Sequence, residues 1–139
     1  MTLIELIDRL RDISLSNPVV NYFEEGDVYN LSSCPDVEYS AVYVTQGVHS
    51  GNFRQITYNL NIFYIDRIAD NESNVLKIQS DAILVLQNII NRLYRENFAL
   101  DVDSIIFTTF RERFADDCAG AFATLKISVD NNLGECFYE

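Results

Sequence analysis

The chain has 139 residues, of which 48% are hydrophobic and 22% are charged, with five glycines and two prolines. This length and composition predict one domain with one core, over residues 1–139, rather than a disordered linker. The net charge is −11, and the 10 lysines and arginines form no basic stripe. A direct nucleic-acid-binding or membrane-surface protein is therefore disfavoured, because like charges repel phosphates and anionic lipids.

The N-terminus has no feature of an export signal. Charges at Glu5, Asp8 and Arg9 interrupt any apolar region, and no apolar run approaches the ~20 residues that span a bilayer. We therefore expect a protein made in the cytoplasm. The cysteines are Cys34, Cys118 and Cys136. They lack the paired spacing of zinc or redox motifs, so we expect free thiols.

The chain is predicted to begin with a short helix. Thr2 and Glu5 have the spacing of a capping box, and Asn17–Pro18 closes the segment. Its apolar stripe consists of Leu3, Leu6, Ile7, Leu10 and Ile13. A short strand over residues 19–23 follows, and Glu24–Asp27 and Ser32–Asp36 are interpreted as turns.

Two strands joined by a hairpin loop are predicted next. Val37–Gln46 is β-branched and aromatic, with a centre that is expected to be buried on both faces. The loop Gly47–Asn52 contains glycines that permit a tight reversal. Gln55–Ile65 then alternates between apolar and polar residues, although Phe63 and Ile65 make the polar face apolar at one end. That change predicts a second contact there.

The strongest helix signal begins after capping candidates at Asn71–Ser73 and runs for about 22 residues to near Tyr94. Ile78 and Val85 are expected on the side opposite the main apolar stripe. That stripe consists of Leu76, Ile83, Leu86, Ile90 and Leu93, widened by Val75, Ala82 and Ile89.

The last part of the chain predicts a second hairpin. Ser104–Phe114 is a strand candidate, Asp116–Gly120 an acidic turn, and residues 121–130 alternate strictly. One face of the alternation, which we expect to pack under the long helix, carries Ala121, Ala123, Leu125, Ile127 and Val129. The predicted fold is α+β: an antiparallel sheet of about four to five strands with one long and one short helix packed on it.

Candidate chemical groups are few. Glu24 with Glu25 and Asp116 with Asp117 could hold a cation or share a proton, but we favour turns or solvated acids because no third ligand has suitable spacing. His49, the single histidine, lies in the hairpin loop without a nucleophile context. We expect no catalytic, metal or cofactor site, and therefore no enzyme.

The eight tyrosines and nine phenylalanines allow two interpretations. Packing in the core and between strands is the simpler one. Alternatively, some of these rings lie in a subunit interface, where aromatic residues are enriched. The rings considered for an interface are Tyr39, Tyr43, Tyr58, Tyr64, Phe107 and Phe110.

Several strings resemble the tail terminator proteins of long-tailed bacteriophages and related neck and tail-completion proteins. They are the short N-terminal helix, the entry Cys34–Gly47 into the first hairpin, Tyr58–Tyr64 before the long helix, and Arg111–Val129. The last string resembles that family's acidic turn leading into a final strand. The likeness extends over nearly the whole chain.

The resemblance implies a homo-oligomeric ring, a hexamer or a dodecamer, that caps the tail tube in the virion and joins it to the head-side connector. DNA would pass through the lumen without specific binding, and no membrane would be involved. The interface candidates are Val48, His49, Ser50, Asn52, Asp116, Asp117, the edge formed by Val37–Gln46 with Tyr43, and Glu24 and Glu25. The alternative is a small-molecule-binding or regulatory α+β module that is not catalytic.

Overall fold

Two helices and seven strands occur in the part of the chain that the computed structural model describes, residues 2–26, 39–68, 73–96, 99–100, 105–113 and 117–130. The strands belong to one mixed sheet with the order β1-β2-β4-β7-β5, in which β3 also pairs with β4 and β6 with β7. The elements are α1 (Leu3–Leu15), β1 (Tyr22–Glu25), β2 (Ala41–Gln46), β3 (Ser50–Gly51), β4 (Gln55–Arg67), α2 (Val75–Arg95), β5 (Ala99–Leu100), β6 (Phe107–Arg113) and β7 (Asp117–Asp130). The predicted α+β class is confirmed.

The sheet differs from the prediction in strand number and direction. β4 and β7 form its antiparallel centre, in a register that runs from Gln55 opposite Asp130 to Arg67 opposite Cys118. β2 is antiparallel to β4, but β1 is parallel to β2. The prediction of four to five antiparallel strands is therefore wrong. Side-chain alternation has the same period in both directions, and two-residue strands such as β3 and β5 are too short to show any period.

Two predicted turns are strands instead. Glu24 and Glu25 end β1, and Asp117 begins β7, so the predicted acidic turn Asp116–Gly120 is wrong from Asp117 onward. In both places pairing with a neighbouring strand satisfies the backbone, and this tertiary contact overrides the turn preference of the acidic residues.

The strand β2 lies inside the sheet, with β1 on one side and β4 on the other. The prediction that Val37–Gln46 forms an edge is wrong for the described part of that segment. Four consecutive residues from Ala41 to Val44 are 3% exposed or less, which confirms that the centre of the strand is buried on both faces. Residues 37 and 38 lie outside the described residues.

The helix α1 has the predicted start and buried stripe. The Thr2 hydroxyl accepts a hydrogen bond from the Glu5 backbone N–H at 3.2 Å, as expected of an N-cap residue. The stripe predicted from the sequence is largely confirmed, since Leu6, Ile7, Leu10 and Ile13 are buried. The Arg9 side chain pairs with Glu96 at the end of α2, which links the two helices.

The helix α2 packs on β7, β4 and β6, as predicted for the alternating strand at the end of the chain. Its cap differs from the prediction, and its buried face differs in part. Asn74 occupies the N-cap position, and its amide donates to the Arg67 carbonyl instead of capping the helix. Most of the predicted stripe is buried, namely Ala82, Leu86, Ile89, Ile90 and Leu93. Ile78 and Val85, predicted on the opposite side, are buried as well, whereas Leu76 is 79% exposed, so the prediction is wrong for these three residues.

A smaller cluster lies on the sheet face opposite the helices. Tyr43, Ile65 and Cys118 are buried there, with Phe63 and Phe110 packed against them. The Phe63 ring also stacks on Phe122, with ring centroids 5.0 Å apart. The second contact predicted at the Phe63 and Ile65 end of the strand is therefore confirmed. Cys118 is a free thiol, and Cys34 and Cys136 lie outside the described residues.

Candidate functional site

The hairpin between β2 and β4 ends in a tight turn that exposes an aromatic ring. The Asn52 side-chain oxygen accepts hydrogen bonds from the backbone N–H groups of Arg54 and Gln55, both at 2.9 Å, and the Asn52 N–H donates to the Gln55 carbonyl. This asparagine turn holds Phe53 at the tip, where its side chain is 100% exposed. Val48, on the same hairpin, is 86% exposed.

His49 holds the base of the hairpin together. Its Nδ1 atom accepts a hydrogen bond from the Asn59 backbone N–H at 3.0 Å, so the ring proton lies on Nε2, which is 3.1 Å from the Gln46 side-chain oxygen. The ring also contacts Tyr58 edge-on, with centroids 5.5 Å apart. Both nitrogens therefore serve to fix the hairpin on β4. Ser50 lies in β3 and is exposed.

The acidic pair Glu24 and Glu25 does not converge on one point. Their positions in β1 place them on opposite faces of the sheet, opposite Tyr43 and Val44. Glu24 accepts a hydrogen bond from the Tyr22 hydroxyl, and Glu25 accepts one from the Gln46 amide, both at 2.9 Å. The two carboxylates therefore cannot hold one cation between them.

Of the remaining predicted interface residues, Asp117 and Tyr43 are not brought together with the hairpin tip. Asp116 lies outside the described residues, and Asp117 pairs with Arg113 in the strand register. Tyr43 is 3% exposed within the single chain and packs in the smaller cluster. Its ring is covered before any subunit contact is made, so Tyr43 does not offer a docking surface.

One polar cluster lies near the start of α2. The Ser40 hydroxyl donates to Asp66 at 3.0 Å, and Lys77 forms an ion pair with Asp81 at 2.8 Å. Burial raises the pKa of the Tyr64 phenol, and the charges of Asp66 and Asp81 add to this, whereas a hydrogen bond with Ser40 and the Lys77 charge act against it.

This cluster has the residue types of a proton-transfer site but not the properties of one. A phenol whose pKa is raised keeps its proton at neutral pH and does not act as a base. The Asp81 hydrogen bond, followed by its charge, raises the pKa of Lys77, which stays a cation. Tyr64 is only 2% exposed, so its hydroxyl is shielded from a substrate. The arrangement favours a structural role.

Neither a metal-ligand group nor a membrane-spanning helix is found in the described ranges. No three side chains of histidine, cysteine, aspartate or glutamate within them are grouped so that they could hold a metal ion. No helix among the same residues is long and apolar enough to cross a bilayer.

A small recess lies beside α1, at the end of the sheet where β1 and β2 stop. Its volume is about 150 Å³. Its lining consists of Leu3, Ile4, Ile7, Asp8, Glu25 and Gln46. Ile4 is 74% exposed at this place. Two sequence-based interface candidates belong to this recess, Glu25 and Gln46, the last residue of the segment Val37–Gln46.

The sequence interpretation missed Phe53, Arg54 and Ile4. Phe53 stands between the predicted loop and the predicted strand, and an aromatic residue at a hairpin tip is itself a signal because loops are usually polar. Ile4 lies outside the buried stripe of its own helix and is likewise an apolar residue without a core position. Comparison with models of known protein families and a search of curated proteins find no match for this chain.

Proposed function

We propose that this chain is a structural subunit of a bacteriophage head–tail junction. In this role it assembles into a closed homo-oligomeric ring, a hexamer or a dodecamer, that caps the tail tube and joins it to the head-side connector. The proposal is supported by the resemblance of its strings to tail terminator and neck proteins and by the α+β fold. The subunit contributes surfaces, and catalysis is not part of the role.

One observation carries the proposal: large apolar side chains are exposed at separate places on one chain. Phe53 and Val48 lie on the hairpin, Ile4 lies on α1, and Leu76 and Leu84 lie on α2 with exposures of 79% and 66%. A closed ring needs two different patches on each subunit, because each copy meets its neighbours head to tail. Aromatic side chains such as that of Phe53 are enriched at protein interfaces.

The charge of the chain is consistent with DNA passage without DNA binding. Each copy carries a net charge of −11, and a ring multiplies that charge around its axis. Phosphates are repelled by such a surface at distances up to the Debye length, about 8 Å at physiological salt. DNA would therefore pass through the lumen without binding to its wall.

Imaging of the purified full-length chain tests this function. Negative-stain electron microscopy and light scattering across a range of concentrations should show closed rings with a central hole. Adding the tail-tube and connector proteins of the same particle should place the ring between them. If only monomers are found at high concentration, and no ring forms even after those proteins are added, the proposed function is wrong.

A further inference from the structure

The hairpin tip presents a phenyl ring and a cation side by side. The Phe53 side chain is 100% exposed, and the neighbouring Arg54 is also exposed. Within the described residues the Arg54 guanidinium is not part of an ion pair. The Asn52 turn fixes the backbone at both positions. A rigid turn that displays an aromatic ring is well suited to insertion into another surface, since little conformational entropy is lost.

The recess beside α1 matches that ring in size and in chemistry. Its volume of about 150 Å³ is that of a cavity known to accommodate one benzene molecule when lined by apolar side chains. Leu3, Ile4 and Ile7 supply apolar walls. A second recess of about 280 Å³ between α2 and β6 is nearly twice as large, so a single ring would leave it underfilled.

The charges at the recess match the cation on the hairpin tip. Glu25 and Asp8 lie in the lining. Glu25 accepts its hydrogen bond from the neutral Gln46 amide, so within the described residues its negative charge has no cationic partner. Asp8 already pairs with Arg11 at 2.9 Å. The lining of the larger recess includes no charged residue among those described. Of these two recesses, the α1 recess is therefore the one that offers Arg54 a carboxylate.

We infer that the Phe53–Arg54 hairpin tip of one subunit inserts into the α1 recess of a second copy of this chain. The Phe53 ring enters the apolar recess between Ile4 and Ile7, and the Arg54 guanidinium pairs with Glu25 at its rim. The tip and the recess are different patches, so the contact is head to tail and can be repeated around a ring. This inference rests on the proposed function, because it names the contact by which the ring would close.

A photo-crosslinker at the tip tests the contact directly. Phe53 is replaced by p-benzoylphenylalanine in the full-length chain, and equal amounts of unlabelled and ¹⁵N-labelled protein are mixed and irradiated. Mass spectrometry should then find crosslinks of mixed isotope composition to the N-terminal tryptic peptide that ends at Arg9. The same crosslinker at Ile106, which is 71% exposed, is the control and should give no such product.

Substitutions at both residues of the hairpin tip test the contact through its effect on assembly. Phe53→Ala should raise the dissociation constant between subunits at least about tenfold, as for a central aromatic residue of an interface, while the fold is unchanged. Arg54→Glu should weaken assembly, and adding Glu25→Arg should restore it. Arg95→Glu, at the end of α2, provides a matched control without effect.

The outcomes separate the inference from the proposed function. A dissociation constant that Phe53→Ala leaves unchanged, or crosslinks that fall in the recess between α2 and β6, would overturn the inference and leave the proposed ring in place. If Glu25→Arg does not restore the assembly of Arg54→Glu, the inferred ion pair between Arg54 and Glu25 is wrong. A chain that stays monomeric under every condition would overturn both.

Discussion

Gly120 lies at the closest approach of the two longest strands. A Cβ atom at this position would overlap the Tyr64 carbonyl oxygen on β4. The sequence places Gly120 at the end of an acidic turn, where glycine would be chosen for its backbone freedom. The structure gives a different reason, because the residue is inside β7 and only hydrogen fits in the space. Composition alone cannot separate these two uses of glycine.

We therefore expect Gly120→Ala to be one of the most destabilising small substitutions in this chain. The obstacle is backbone, which cannot move aside without separating β4 from β7, so the free energy of unfolding should fall by about 3 kcal/mol or more. Gly51→Ala is the matched control, since its nearest non-neighbour atom would be 3.4 Å away, and a change within about 1 kcal/mol is expected. Urea unfolding followed by circular dichroism measures both. Equal values for the two variants would contradict this account.

Tyr64 should make stability depend on alkaline pH. Burial raises its pKa above the ordinary value of 10.0, so the folded protein retains this proton after the unfolded chain has lost it. The resulting stabilisation is fully present below about pH 10 and is lost as the pH rises through the folded pKa. Tyr64→Phe cannot ionise. Its unfolding free energy should therefore decline less steeply than that of the wild type between pH 9 and 11. Parallel curves would show that Tyr64 does not contribute to the pH dependence.

At the scale of the element, the sequence predicts the extent of the long helix and most of its buried face. The predicted length of about 22 residues compares with 21 in α2. The buried face is wider than the predicted stripe, because contact with β4, β7 and β6 also covers Ile78 and Val85. In α1 the predicted stripe is buried at Leu6, Ile7, Leu10 and Ile13, although Ser14 is buried as well.

Adjacent residues of α2 give a matched test of its orientation. Val85 is 6% exposed and Leu84 is 66% exposed. Val85→Ala should lower the free energy of unfolding by about 2 kcal/mol, because it removes buried methyl groups and leaves a cavity. Leu84→Ala should change it by no more than about 0.5 kcal/mol. Thermal or urea unfolding of the two variants would decide. A larger effect at Leu84 would mean that the helix faces the other way.

At the scale of the whole molecule, the sequence predicts the fold class and the central hairpins but not the parallel pairing of β1 with β2. The direction of a strand depends on how the chain returns to the sheet. Side chains alternate with the same period in parallel and antiparallel strands, so the alternation does not reveal the direction. The candidate site is predicted in part. The glycines of its loop predict the hairpin, whereas the α1 recess forms only when β1, β2 and α1 meet. Such a surface has no signature in any one segment.

The central claim is that copies of this chain close into a ring through the exposed surfaces of the hairpin and α1. Native mass spectrometry of the purified full-length protein measures the number of copies directly. The account predicts one dominant assembly of six or twelve subunits, whose proportion falls in Phe53→Ala while the monomer remains folded. A wild-type protein found only as monomer or dimer, at every concentration and salt condition that preserves the fold, would contradict it.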